Sequence, residues 1–146
     1  MRVISIVLFL VSFGSVSLGN EKSDLLNATT LKCNWIGGIG ISLDKNGKWD
    51  VGEDTLPESI IDSIDLETNR ARIIGNAGSA TLKVYQFGYG LVFIESKYNY
   101  FHTIVIPYSY APEQPGYYPV FYSRNVSIMG LAHANTNLFG TCKIHQ

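Results

Sequence analysis

The sequence predicts an all-β domain: a small antiparallel meander that closes, or nearly closes, into an up-and-down β-barrel, with a β-sandwich as the alternative. Three observations point there. From Leu31 onward the apolar segments are short and separated by Gly, Asn, Asp or Pro, the rhythm of strands joined by turns. That region carries no sustained 3.6-residue apolar period. The only two cysteines, Cys33 and Cys142, fall in the first and last of these segments. A disulfide between them needs Cα atoms within about 7 Å. That sets the first and last strands side by side, which is what closing a barrel requires.

The N-terminus reads as a secretory leader. Met1-Arg2 supplies a positive start, Val3 to Val11 is uncharged and mostly apolar, and Ser12 to Gly19 is small and mildly polar. Ser17 and Gly19 occupy the −3 and −1 positions of a cut before Asn20. The apolar run falls short of the roughly 20 residues of a spanning helix. Removing residues 1–19 from 146 leaves 127, enough for one domain with its own core. The leader takes Arg2 with it, so the net charge moves from −1 to −2. The remaining basic residues are scattered, which argues against nucleic acid or an anionic membrane as partner. The expected locations are therefore secreted or periplasmic, where a lone cysteine pair oxidises. A redox-active pair would want Cys-x-x-Cys spacing. Cys33 and Cys142 stand at opposite ends of the chain, so their expected role is structural.

Residues 20–30 lack periodicity and read as a flexible lead before a single β domain over 31–146. Leu31 to Leu43 is the first strand, carrying Cys33, Trp35, Ile39 and Ile41, with Gly37, Gly38 and Gly40 marking a bulge or bend. Asp44-Lys45-Asn46-Gly47 is a tight turn into a short strand, Lys48 to Val51. Leu56 to Asp62 is the best helical candidate, one or two turns with proline and glutamate at its start. Ile60 to Leu66 with Arg70 to Gly75, and Ala80 to Phe87 with Leu91 to Glu95, form hairpins. Tyr100 to Ile106 is a further strand, and Pro107 to Gly116, with three prolines, is a long loop. Tyr117 to Met129 and Leu138 to Ile144 complete the sheet.

Thirteen of the sixteen Tyr and Phe residues fall between Tyr85 and Tyr122. Tyrosine combines a flat apolar face with a hydroxyl and so suits amphipathic ligands and protein contacts, while also covering sheets in general. Tyr108, Tyr110 and Tyr117, in or beside the proline-rich loop, are the candidate contacts for a ligand or partner, because loops on a rigid scaffold carry function. Arg124 falls in the apolar row Val120, Tyr122, Val126, and a guanidinium there needs a partner. Trp35 could supply one by cation–π stacking. That placement is similar to lipocalin-like barrels, where a first-strand tryptophan packs over an arginine. The Gly-x-Trp of that family reads Cys33-Asn34-Trp35 here, so the likeness concerns the fold alone.

Other motifs carry less. Counted from Asp44, the fifth, sixth and twelfth positions of a calcium loop hold Lys48, Trp49 and Thr55, which fits a hairpin turn rather than a metal site. His102, His133 and His145 lack ligand spacing, so no metal or cofactor is expected. No nucleophile elbow occurs, and no catalytic residue is assigned. Asn27 and Asn125 open glycosylation sequons that matter only in a eukaryotic secretory route. Three functions remain open: a binding module for a small ligand or protein, a hydrolase or isomerase using His102 or His133, and an inhibitor or envelope protein–protein component.

Overall fold

A computed structural model describes residues 18–97, 100–128 and 132–146; residues 1–17 of the expected leader lie outside them. A helix, α1 (Leu18–Leu26), precedes nine strands: β1 (Leu31–Leu43), β2 (Trp49–Asp54), β3 (Ser59–Asp65), β4 (Arg70–Gly75), β5 (Gly78–Phe87), β6 (Gly90–Lys97), β7 (Tyr100–Pro107), β8 (Tyr117–Ile128) and β9 (Ala132–Ile144). Every pairing is antiparallel.

Alternation along the strands builds the wall. Leu91, Phe93 and Glu95 of β6 point inward, as do His102, Ile104 and Ile106 of β7 and Tyr118, Val120 and Tyr122 of β8. β1 pairs with β9 at twelve positions, from Leu31↔Ile144 to Leu43↔His133, and its first three residues also pair with β3. β1 and β3 to β9 thus form a closed eight-stranded barrel. Cys33 and Cys142 lie directly opposite one another on this seam and are bonded. Closure satisfies the edges that an open meander would expose.

β2 stands outside the barrel. It pairs with the far half of β1, Gly38 to Leu43, so that β2, β1, β9 and β8 rise as a wall beyond one end. The cause is a bulge between Trp35 and Gly37, where Ile36 is extra and Gly37 takes a φ of 151°. Before the bulge Leu31, Cys33 and Trp35 face inward. After it the parity is reversed, and Ile39 and Ile41 face out. Gly140 is required at the same place: a Cβ there would run into the Asn34 carbonyl of β1. The Asp44–Lys48 turn has the expected form, with Gly47 at φ 75° and the Asp44 carboxylate accepting from the Asn46 and Lys48 amides.

Several expectations need correction. The lead over 20–30 is ordered, because Leu25 and Ala28 bury themselves at the barrel end away from the β2 wall. The Tyr118 hydroxyl donates to the Glu21 carbonyl (2.8 Å), the Tyr110 amide donates to the Glu21 carboxylate (3.0 Å), and the Ile64 amide donates to the Thr29 carbonyl (3.1 Å). The helical candidate at 56–62 is instead a loop leading into β3, since Ile60 and Ile61 pair with Ile74 and Ile73 of β4. β9 begins at Ala132 rather than Leu138, because its polar first half pairs with both β8 and β1. Met129 lies outside the described residues. No helix among the described residues is long and apolar enough to cross a membrane.

Candidate functional site at the open end of the barrel

The barrel is filled unevenly. At the α1 end Leu25, Leu31, Leu91, Ile106 and Tyr118 are fully buried, and the middle holds Phe93, Ile104, Ile61 and the disulfide. Toward the other end the inward residues turn polar. β3 ends its inward row with Ser59, β6 with Glu95 and β7 with His102 and Tyr100. A cleft of about 270 Å³ opens there. Trp35, Tyr122, Tyr100 and His102 form an aromatic side, and Leu56, Pro57, Ile73 and Ala80 an apolar one.

Glu95 organises the floor. It is 5% exposed, and an isolated buried carboxylate would be costly. Three groups compensate it. The Tyr100 hydroxyl donates to Oε1 at 2.7 Å, Lys97 Nζ lies 3.3 Å from the same oxygen, and His102 Nδ1 lies 3.1 Å from Oε2. Tyr100 stacks on His102 with ring centroids 4.7 Å apart, which holds the imidazole in its plane. Burial depresses the His102 pKa, Glu95 opposes that shift, and the Arg124 charge adds to it. The ring is therefore neutral near pH 7. With its Nδ1 proton turned to the carboxylate, Nε2 is left as an acceptor, and it is buried without a hydrogen-bond partner. Burial pushes the Tyr122 hydroxyl up to about 12, so it too remains neutral.

Trp35 meets the cleft through Tyr122 and Ser59. Its ring packs edge-on to Tyr122 at 5.5 Å between centroids, and its indole N–H donates to Ser59 Oγ at 2.9 Å. This corrects the expected stack on Arg124. Arg124 does lie on the inward row, opposite His102 across β7 and β8, but it is exposed, because the row has passed beyond the filled part of the barrel. A rim position lets water solvate the guanidinium, so no ring is needed to hold it.

The tyrosines expected to touch a ligand sit at the opposite end. Tyr108 follows the last residue of β7 and lies eight residues from Tyr100, on the order of 26 Å at strand rise. Tyr108 is buried with Lys22 of α1 over its ring, Tyr110 packs edge-on to Tyr118, and Tyr117 carries Lys143 over its face. Tyr108 and Tyr110 hold the helix that plugs the barrel. His133 faces outward on β9, and His145 is exposed near the C-terminus. Glu95 and Tyr100 are site residues that no sequence motif marks; the one local signal for Glu95 is that it shares the alternation of Leu91 and Phe93.

The buried imidazole yields a pH prediction. The unfolded chain protonates His102 near 6.5 and the folded protein only at lower pH. Between those values the unfolded state binds more protons, so stability falls as pH drops below about 6.5. Denaturant midpoints at pH 7, 6 and 5 should decline in the parent and decline less in His102→Phe. Asp44, Asp62 and Asp65 contribute in a separate window. Hydrogen bonds from the Lys48 amide, Arg72 and Thr68 respectively depress their carboxyls, so their stabilisation is lost only below about pH 3.8.

No protein-family model, curated protein or solved structure matches this chain.

Proposed function

We propose that the protein is a binding module that holds a small neutral molecule, part flat and part hydrogen-bonding, at the open end of its barrel. The observation that carries this reading is the buried Glu95–His102 pair at the cleft floor with His102 Nε2 unpartnered. A buried ion pair is weak as a stabilising device, and a buried histidine of lowered pKa facing a cleft marks a functional-site candidate. The ligand class follows from the lining. Trp35, Tyr100 and Tyr122 offer ring faces, and Nε2 asks for an O–H or N–H donor. Lys97 already offsets the Glu95 charge, which favours a ligand without net charge. The volume equals about nine waters, the size of a single ring with one or two substituents. The leader-like residues 1–19 and the disulfide support export as the setting.

A second reading has one specific support. A carboxylate-oriented histidine is half of a general-base device. Of the two serines that line the cleft, Ser59 is engaged by Trp35 and the Pro57 carbonyl and Ser79 is exposed on β5, so such a base would act on a substrate hydroxyl or on water.

Titration with phenol, indole and a monosaccharide, read by NMR shifts of the Trp35 indole and His102 ring and repeated in Trp49→Phe to isolate Trp35 fluorescence, tests the binding reading. Phenol or indole should perturb Trp35 and His102 together, and His102→Phe should weaken phenol about fivefold, the worth of one hydrogen bond. Probes that leave both residues unmoved would overturn it. Turnover of the bound molecule would promote the second reading.

A further inference from the structure

The outer face of β7, β8, β9 and β1 carries an unusual composition. Between the row of Val105, Phe121 and Phe139 and the row of Ser127, His133 and Leu43, it holds no Asp, Glu, Lys or Arg. Phe101, Phe121 and Phe139 share it with Ile39 and Ile41, and Val51 and Trp49 extend it onto β2, where the exposed Glu53 opposite Ile39 brings a charge to its edge. These seven side chains are between 38% and 64% exposed. At roughly 200 Å² of surface for each large apolar side chain, they present on the order of 700 Å² of apolar area. That area is a sum over the face, divided by the polar side chains of Ser123, Asn125, Asn135 and Asn137.

Asparagines run through the middle of the face as a one-way ladder. Asn137 Nδ2 donates to Asn135 Oδ1 at 2.6 Å, and Asn135 Nδ2 donates to Asn125 Oδ1 at 2.5 Å. The ladder therefore ends in a donor, Asn125 Nδ2, on β8 and an acceptor, Asn137 Oδ1, on β9. Across a two-fold axis the donor end of one ladder meets the acceptor end of the other, and the contact is made twice.

We infer that this face is the interface of a homodimer, in which two copies stack their β7–β8–β9–β1 walls face to face. Three features select a second copy as the occupant. The outward positions of β7, β8, β9 and β1 meet themselves with no like-charge opposition, Glu53 being confined to the β2 edge, the asparagine ladder is complementary to its own two-fold image, and the apolar area with the intervening amides reaches the ~800 Å² per partner of a standard interface. Face-to-face sheets about 10 Å apart would interdigitate the phenylalanines.

Sedimentation velocity tests this on the full chain expressed in an exporting host and collected in the form the host releases, between 1 and 100 µM (about two decades, as needed to read a dissociation constant). The expected result is a dimer whose dissociation constant rises at least tenfold in Phe121→Lys and in Asn135→Asp, with far-UV circular dichroism unchanged in both. A monomer throughout, or a dimer indifferent to both substitutions, would overturn the inference. So would an intact mass showing a glycan on Asn125, which would cover the ladder. Vesicle flotation of a monomeric protein would assign the face to a lipid surface and overturn it equally.

Discussion

Replacing both cysteines, Cys33→Ala with Cys142→Ala, is expected to lower stability by about 4–5 kcal/mol, the chain-entropy cost of a loop this long. The bridge spans 109 positions, so it restrains almost the whole domain in the unfolded state. For a domain of this size that corresponds to a fall in Tm of about 15–20 °C. The barrel should still form, because β1 and β9 pair at twelve positions and Trp35, Leu138 and the α1 plug remain packed around the seam. Thermal melts of the oxidised parent and the double variant, with far-UV circular dichroism at 20 °C, check both halves of the statement. A Tm within a few degrees of the parent would mean that the unfolded chain gains little freedom when the bridge is lost.

The second large effect comes from two phenylalanines on opposite faces of one wall. Phe93→Ala should cost about 3–5 kcal/mol, the loss of a fully buried ring plus the cavity left behind. Phe93 lies against Ile104 across β6 and β7 and belongs to the layer between the disulfide and the cleft floor. Phe121→Ala, measured at submicromolar protein where any dimer is dissociated, should cost under about 1 kcal/mol. It is half-exposed on the outer face, and its losses are limited to the cross-strand pairs with Val105 and Phe139. Urea denaturation of both variants side by side measures the contrast. Comparable losses would mean that the outer face is packed in the isolated protein, which would also count against the dimer interface.

Much of the wall was legible in the sequence for a simple reason. Strand pairing has a period of two, and short apolar segments bounded by Asn-Gly and other turn residues mark where it begins and ends. The Asp44–Lys48 hairpin, the β5–β6 hairpin and the break after Pro107 could be placed from local chemistry alone. Closure followed from two cysteines at the ends of the meander and one distance condition. The ends of elements were less legible. α1 contributes too few apolar residues to show a period, and it becomes a helix where Leu25 and Ala28 find a barrel end to fill. The polar start of β9 looks like loop until β1 and β8 are set on either side of it.

The candidate site was scarcely legible at all. His102 stands in the sequence only as one of three histidines without ligand spacing. Its partners Glu95, Lys97 and Tyr100 come from the two strands of one hairpin and meet only through the register of β6 with β7. Trp35 joins them from the far side of the barrel, across a bulge that reverses the face on which the rest of β1 lies. The sequence by itself determined an antiparallel meander with its first and last strands crosslinked, because pleat, turn chemistry and a single crosslink are properties of neighbours and of one pair, and the pairing of β1 with β9 decided for the closed barrel over the sandwich. Only the tertiary structure decided which end is sealed and which is open, where a carboxylate is buried beside a neutral imidazole, and which apolar residues stay outside. Those depend on strand stagger and on the parity change at one extra residue, and neither is written in any local segment.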